Sequence, residues 1–191
     1  MTTNELPILP FASVALWEQW LSEHHDRLDG VWLKIAKKAS GIASVTHDEA
    51  LDVALCYGWI DGQRRPADSE FFLQKFTPRR PQSLWSKRNI AKVTALTAAR
   101  RMQPAGLAEV EAARQDGRWA AAYDSPKDMV VPEDFLQALR ENQQALAFFN
   151  TLNKANVFAI AWRLQTAKQP ETRQRRFAAL LAMLERGEKL H

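Results

Sequence analysis

Two short stretches hold most of the residues whose types suit chemistry. They are Trp59-Ile60-Asp61-Gly62-Gln63-Arg64 and Phe76-Thr77-Pro78-Arg79-Arg80-Pro81-Gln82-Ser83-Leu84-Trp85-Ser86-Lys87-Arg88-Asn89. Arg79 and Arg80 carry planar guanidiniums that can clamp a phosphate or carboxylate through parallel N–H donors. Ser83 and Ser86 add hydroxyl donors, and the start of the helix expected next offers unpaired amides, so the block has the ingredients of an anion cradle. Lys87, Arg88 and Lys92 extend the positive charge along that helix. Phe72, Phe76 or Trp85, where exposed, would give a nucleic acid a stacking face. The competing reading is architectural: Ser83 caps the helix, Arg79 pairs with Asp61, and Trp59 and Trp85 are core.

Catalysis has fewer candidates. Asp61, between Trp59 and Gly62, is the best-placed carboxylate for acid or base work on a small anionic substrate, with Arg79 as anchor. As a turn residue it would instead accept backbone amides. Cys56 sits in an apolar helical stretch beside Tyr57, where a thiol stays buried and neutral. His24-His25 and His47 lack metal-ligand spacing with acidic partners, and one cysteine among four scattered histidines builds no ordinary zinc site. The absence of GxGxxG, GxxxxGK[ST] and GxSxG disfavours dinucleotide, P-loop and α/β-hydrolase chemistry. No metal and no cofactor are expected.

Charge points to the same region. Residues 64–101 carry 10 basic and 2 acidic groups, net +8, whereas residues 1–63 carry 4 and 9, net −5, and residues 102–191 carry 12 and 11, net +1. Such an excess concentrates anions at whatever surface it forms. A solvated helix face would account for it without a partner. The 46% hydrophobic and 25% charged composition is that of an ordinary globular chain and excludes disordered and disulfide-rich classes. No basic segment followed by a long apolar run precedes Phe11 and no apolar run reaches membrane-spanning length, so a cytoplasmic protein without a membrane span is expected.

The elements that must position these residues follow from pattern. Ser13 caps a helix whose stripe is Val14, Trp17, Leu21, His24 and Leu28. Val31 to Lys38 reads as a half-buried strand, with Val31, Leu33 and Ile35 on one side and Lys34 and Lys38 on the other. Thr46 and Glu49 have capping-box spacing ahead of a helix His47–Tyr57 that Gly58 stops. Trp59–Arg64 and Glu70–Phe76 form a hairpin. A helix Leu84–Met102 turns Ile90, Val93, Leu96 and Thr97 inward and Arg88, Lys92 and Arg100 outward. Pro104 opens another helix that ends at Gly117, and Arg118–Val131, with Ser125-Pro126-Lys127, reads as a linker. Beyond it come four helical segments, with Pro132 and Pro170 in first turns. Glu171 and Arg175 are spaced to pair beside Lys168, Arg173 and Arg176.

Five blocks, in order, carry a resemblance. They are Lys37-Lys38-Ala39-Ser40-Gly41; Ala54-Leu55-Cys56-Tyr57-Gly58-Trp59-Ile60-Asp61-Gly62; Phe76-Thr77-Pro78-Arg79-Arg80 with Ser83-Leu84-Trp85-Ser86-Lys87-Arg88-Asn89; Val131-Pro132-Glu133-Asp134; and Ala167 through Arg176. Together they resemble the YdeI/OmpD-associated proteins, also labelled bacteriocin-protection proteins. The resemblance implies a YjbR/CyaY-like α+β domain, then a helical OmdA-type module, and an association with resistance to antimicrobial peptides or bacteriocins. It implies no reaction and brings no catalytic residue.

The expected fold is therefore α+β: a small antiparallel sheet flanked by helices over 1–120 and a helical module over 130–191. Trp17, Trp20, Trp32, Trp59, Trp119 and Trp162 are expected in the cores and Trp85 partly exposed. A binding protein is favoured over an enzyme, with Trp59, Asp61, Arg64, Arg79, Arg80, Ser83, Trp85, Ser86, Lys87, Arg88 and Asn89 as the ligand set. The partner is an anionic ligand or nucleic acid. A protein-interaction factor in envelope stress is a third reading, and oligomeric state is left open.

Overall fold

Ser13 stands extended ahead of helix α1 (Val14–His24), its hydroxyl accepting from the Leu16 amide, and the stripe it starts buries Trp17 and Leu21 completely. The computed structural model describes residues 5–124, 128–167 and 169–190. Ser125, Pro126 and Lys127 of the expected linker, and Lys168, lie outside the described residues. The fold is α+β, and the chain divides into two compact units, Met1–Ala122 and Tyr123–His191.

In the first unit, β2 (Val31–Ala36) alternates as a strand with one covered face should: Val31, Leu33 and Ile35 are buried, while Trp32 and Lys34 are half-buried on the other side. Thr46 and Glu49 close the expected capping box at the start of α2 (His47–Cys56), the Thr46 hydroxyl accepting from the Glu49 amide and the Glu49 carboxylate accepting from the Thr46 amide at 2.9 Å. Gly58, at φ +77°, turns the chain out of that helix into β3 (Trp59–Pro66), which forms a hairpin with β4 (Phe71–Pro78). Helices α3 (Lys87–Ala98) and α4 (Pro104–Gln115) complete the unit.

The sheet has the order β1-β2-β4-β3 and is mixed. The antiparallel strands are the three expected ones. The fourth, β1 (Ile8–Pro10), runs parallel to β2, pairing Ile8 with Trp32, and α1 supplies the crossover that a parallel pair requires. A three-residue segment ending in proline has too little pattern to read as a strand, and proline is tolerated there because this is an edge.

The core lies between the sheet's inner face and the helices, around Trp17, Leu21, Leu51, Trp59, Phe76 and Trp85. Truncating any of its large aromatics would cost about 3–5 kcal/mol. Trp85, expected to be partly exposed, is 2% exposed. It immediately precedes Ser86, the residue that caps α3 by accepting from the Asn89 amide, so its ring sits at the position from which apolar side chains staple a helix start to the body of a fold. Ser83 is not the cap. Of the expected inner stripe, Val93 and Leu96 are buried and Ile90 packs partly buried against the core, Asn89 joins them, and Thr97 is exposed.

Helix α4 approaches α2 at Gly106. A Cβ there would lie 2.7 Å from the Leu55 carbonyl and closer still to that of Cys56, so only glycine admits the contact.

The second unit is helical: α5 (Glu133–Glu141), α6 (Gln143–Phe149), α7 (Lys154–Gln165) and α8 (Pro170–Glu185). Its own core gathers Phe135, Leu139, Ile160, Leu164, Leu180 and Leu184. Two arginines of α8 are tied down within it: Arg173 meets Asp134 at 2.7 Å, and Arg176 donates to the Arg163 carbonyl near the end of α7, while Arg175 is exposed and the expected Glu171–Arg175 pair is not among the ion pairs of the described residues. No helix among the described residues is long and apolar enough to cross a membrane.

Candidate functional site

The basic residues of the loop and of α3 sort into distinct environments. Arg88 donates to Asp48 at 2.7 Å, and Lys92 reaches Asp48 at 3.0 Å and Asp52 at 2.7 Å, so the expected outward cations form a seam between α3 and α2. Lys92 is only 17% exposed. Burial opposes its charge, but the hydrogen bonds to Asp52 and Asp48 outweigh that cost and hold its pKa above the ordinary lysine value. The hydrogen bond from Lys92, joined by that of Arg88, holds the Asp48 carboxyl below the usual carboxylate range. A lysine turned outward in sequence is thus an internal counter-charge, because α2 places two aspartates one turn apart opposite it.

Arg79 is buried too. Its guanidinium lies 3.7 Å from the centroid of the Trp85 ring and donates to the Leu84 carbonyl. Trp119 packs tilted against the Trp85 ring at 5.0 Å between centroids, with Arg114 over it at 5.1 Å, which gives a cation–ring–ring–cation series. Arg118 closes this region by donating to Asp116 and to the Ser83 carbonyl. The Ser83 hydroxyl accepts from the Arg80 amide, which tightens the turn and leaves the Arg80 side chain exposed. Asn89 is buried in the first turn of α3, and Lys87 beside it is exposed.

Trp59 is a core residue whose indole donates to the His25 carbonyl. Asp61 faces inward opposite Phe76 on β4, and its Oδ2 lies 3.0 Å from His47 Nε2. The sequence offered Asp61 and His47 separately. Only the packing of the α2 N-terminus on β3 joins them. Cys56 is fully buried, and burial pushes its thiol up to about 11, which keeps it un-ionised.

The positive charge left facing outward lies on the sheet. The face away from the helices presents Trp32 and Lys34 from β2, Leu73 and Lys75 from β4 and Arg65 from β3, in a register that sets Lys75 opposite Trp32 and Arg65 opposite Leu73. The Arg65 guanidinium lies 4.1 Å from the Trp32 ring centroid, and Lys34 stands 4.2 Å over Phe71 while also meeting Asp68 at 3.4 Å. Trp32 is therefore half-buried beneath an arginine and lies outside the core cluster that was expected to hold it. Arg64, one residue earlier, stacks on Phe72 from the sheet's other side. Between the bulge in β3 and the turn after β4 lies an open hollow of about 380 Å³ lined by Gly62, Gln63, Lys75, Thr77, Arg80 and Ser83.

Trp32, Lys34, Arg65 and Lys75 stood outside the expected ligand set. Strand alternation already placed Trp32 with Lys34. The strand register, which only the folded sheet reveals, adds Lys75 and Arg65 to them.

Residues 9–109 match the family described as Domain of unknown function (DUF8412), and residues 128–187 match the one described as Bacteriocin-protection, YdeI or OmpD-Associated. Comparison with curated proteins finds no significant match, and comparison with solved structures finds none either.

Proposed function

The chain belongs to the DUF8412 family and carries a YdeI/OmpD-associated, bacteriocin-protection module in its C-terminal part, and we propose that it works as an anion-binding protein through its N-terminal unit. The observation that carries this reading is the convergence of Lys75 and Arg80 on one open hollow whose lining holds no acidic side chain. Lys75 and Arg80 also border an adjoining hollow that Asp29 lines, but neither forms an ion pair among the described residues, and two such cations favour phosphate, sulfate or carboxylate groups. The loop–helix block enters through Arg80 and the turn that Ser83 shapes, with the cations of the sheet beside it.

The family label ties members to bacteriocin protection. Antimicrobial peptides are commonly rich in lysine and arginine, so a basic face would repel them. Protection by this protein would act through its anionic partner. We place it in the cytoplasm, in keeping with its one buried thiol.

The test is fluorescence anisotropy of labelled heparin and of a labelled oligothymidylate, each at low and near-physiological salt, with the native chain and with Lys75→Ala/Arg80→Ala. Binding that falls with salt and weakens about tenfold or more in the double variant supports the reading. No binding of either polyanion at low salt overturns it.

A second reading follows from the His47–Asp61 contact: Asp61 as acid or base on a small anionic substrate, oriented by His47. Its expected anchor, Arg79, is engaged with Trp85, so a substrate there would be held by other groups than that guanidinium. Turnover of a phosphate or carboxylate ester that Asp61→Asn abolishes, with folding unchanged, would favour it.

A further inference from the structure

We propose that the occupant of the sheet's outer face is a single-stranded nucleic acid, with at least one base stacked on the Arg65–Trp32 pair and the phosphates met by Lys75 and Arg80. This rests on the anion-binding reading and specifies its partner.

The argument begins with the path. Lys75 and Thr77 follow Leu73 on the same face of β4, and both also line the hollow that Arg80 enters. The face and the hollow are therefore one continuous surface. From Phe71 to Thr77 it spans about 20 Å at the rise of a strand, room for several nucleotides. Positive charge dominates this path: Arg65, Lys75 and Arg80 form no ion pair among the described residues, Lys34 is countered by Asp68, and Asp29 lines the hollow adjoining Lys75 and Arg80.

Charge alone would suit any polyanion. Flat surfaces narrow the choice. The Arg65 guanidinium carbon stands 4.1 Å over the Trp32 ring, so a guanidinium and an indole are offered together, and Phe71 lies under Lys34 further along. Guanidinium and aromatic planes are used by unstacked bases, which present a π-face of their own. In a duplex those faces are occupied by neighbouring base pairs, and an acidic polypeptide has few such faces. A single strand uses both the charges and the planes.

The experiment compares a labelled oligothymidylate of about 12 nucleotides, a length within the usual single-strand footprint, with an abasic oligomer of equal length that keeps every phosphate and lacks every base. Anisotropy is read with the full chain, with Arg65→Lys and with Trp32→Phe. The expected result is affinity for the base-bearing strand about tenfold or more above the abasic one, the order of one stacked base. Arg65→Lys keeps the charge and loses the plane. It should erase that difference while leaving abasic binding within about twofold, and Trp32→Phe, which keeps a ring under Arg65, should retain part of it.

Equal affinity for the two oligomers overturns this inference and leaves the anion-binding reading standing. A preference for duplex of the same length also overturns it. Binding of neither strand nor heparin at low salt overturns both.

Discussion

His47 Nε2 lies 3.0 Å from Asp61 Oδ2, joining the first turn of α2 to β3 across the inner face of the sheet. Both side chains are about a quarter exposed, so the contact is shielded but not dry. Asp61→Ala removes the acceptor and should lower stability by about 1–2 kcal/mol in urea titrations, whereas Asp61→Asn, which keeps an oxygen at that place, should cost about half as much. Equal stability of Asp61→Ala and the native chain would show the contact to be idle.

Arg79 and Arg80 are adjacent in sequence and opposite in role. Arg79→Ala strips the cation from the Trp85 ring and should cost about 1–3 kcal/mol, with a change in tryptophan emission, while oligothymidylate affinity of the folded fraction stays within about twofold. Arg80→Ala should do the reverse. Anisotropy and thermal melts on the two single variants decide it, and weakened binding in Arg79→Ala without loss of stability would reverse the assignment.

Acid should loosen the α2–α3 seam. Because hydrogen bonds from Lys92 and Arg88 hold Asp48 below its ordinary value of 3.8, its contribution is fully present above that value and is lost as pH falls through the lower folded one. Asp48 is well exposed, so the effect is modest, about 0.5 kcal/mol or less. Asp48→Asn should flatten this part of the acid limb in denaturant midpoints measured from neutral pH down to about 2. Lys92, held above its ordinary 10.5, works in the opposite direction: its contribution is present below that value and disappears as pH rises through the folded one.

Gly106→Ala should be among the most damaging single-methyl changes in the first unit. The added carbon meets backbone carbonyls of α2, which cannot swing aside as a side-chain tip would. A loss of about 2–3 kcal/mol is expected in calorimetric melts. A melting temperature unchanged within error would mean that α4 can shift away at no cost.

Much of the fold was legible because local chemistry and packing agree. The Thr46–Glu49 box, the Ser13 cap, the alternation in β2 and the helical stripes from Phe135 to Leu184 each state locally what the tertiary structure then uses. β1 was not legible, since three residues owe their strand pairing wholly to β2. The site was legible in composition and not in arrangement. Lysine and arginine types say that charge is present, but whether Lys92 meets solvent or two aspartates depends on Asp48 and Asp52, on a helix well before it in the chain. Arg65 and Trp32 are also distant in sequence, and a one-residue change of strand register would have put them on opposite faces.

The two margins of the sheet are β1 and β3. One is three residues long and ends in Pro10; the other carries a bulge between Asp61 and Arg64, then two arginines, then Pro66. Short length, irregular backbone, charge and proline each make a strand a poor template for a strand of another molecule. Arg64 and Arg65 therefore serve as gatekeepers against fibrillar growth, and replacing both with valine or isoleucine would open a smooth β-prone margin to self-association.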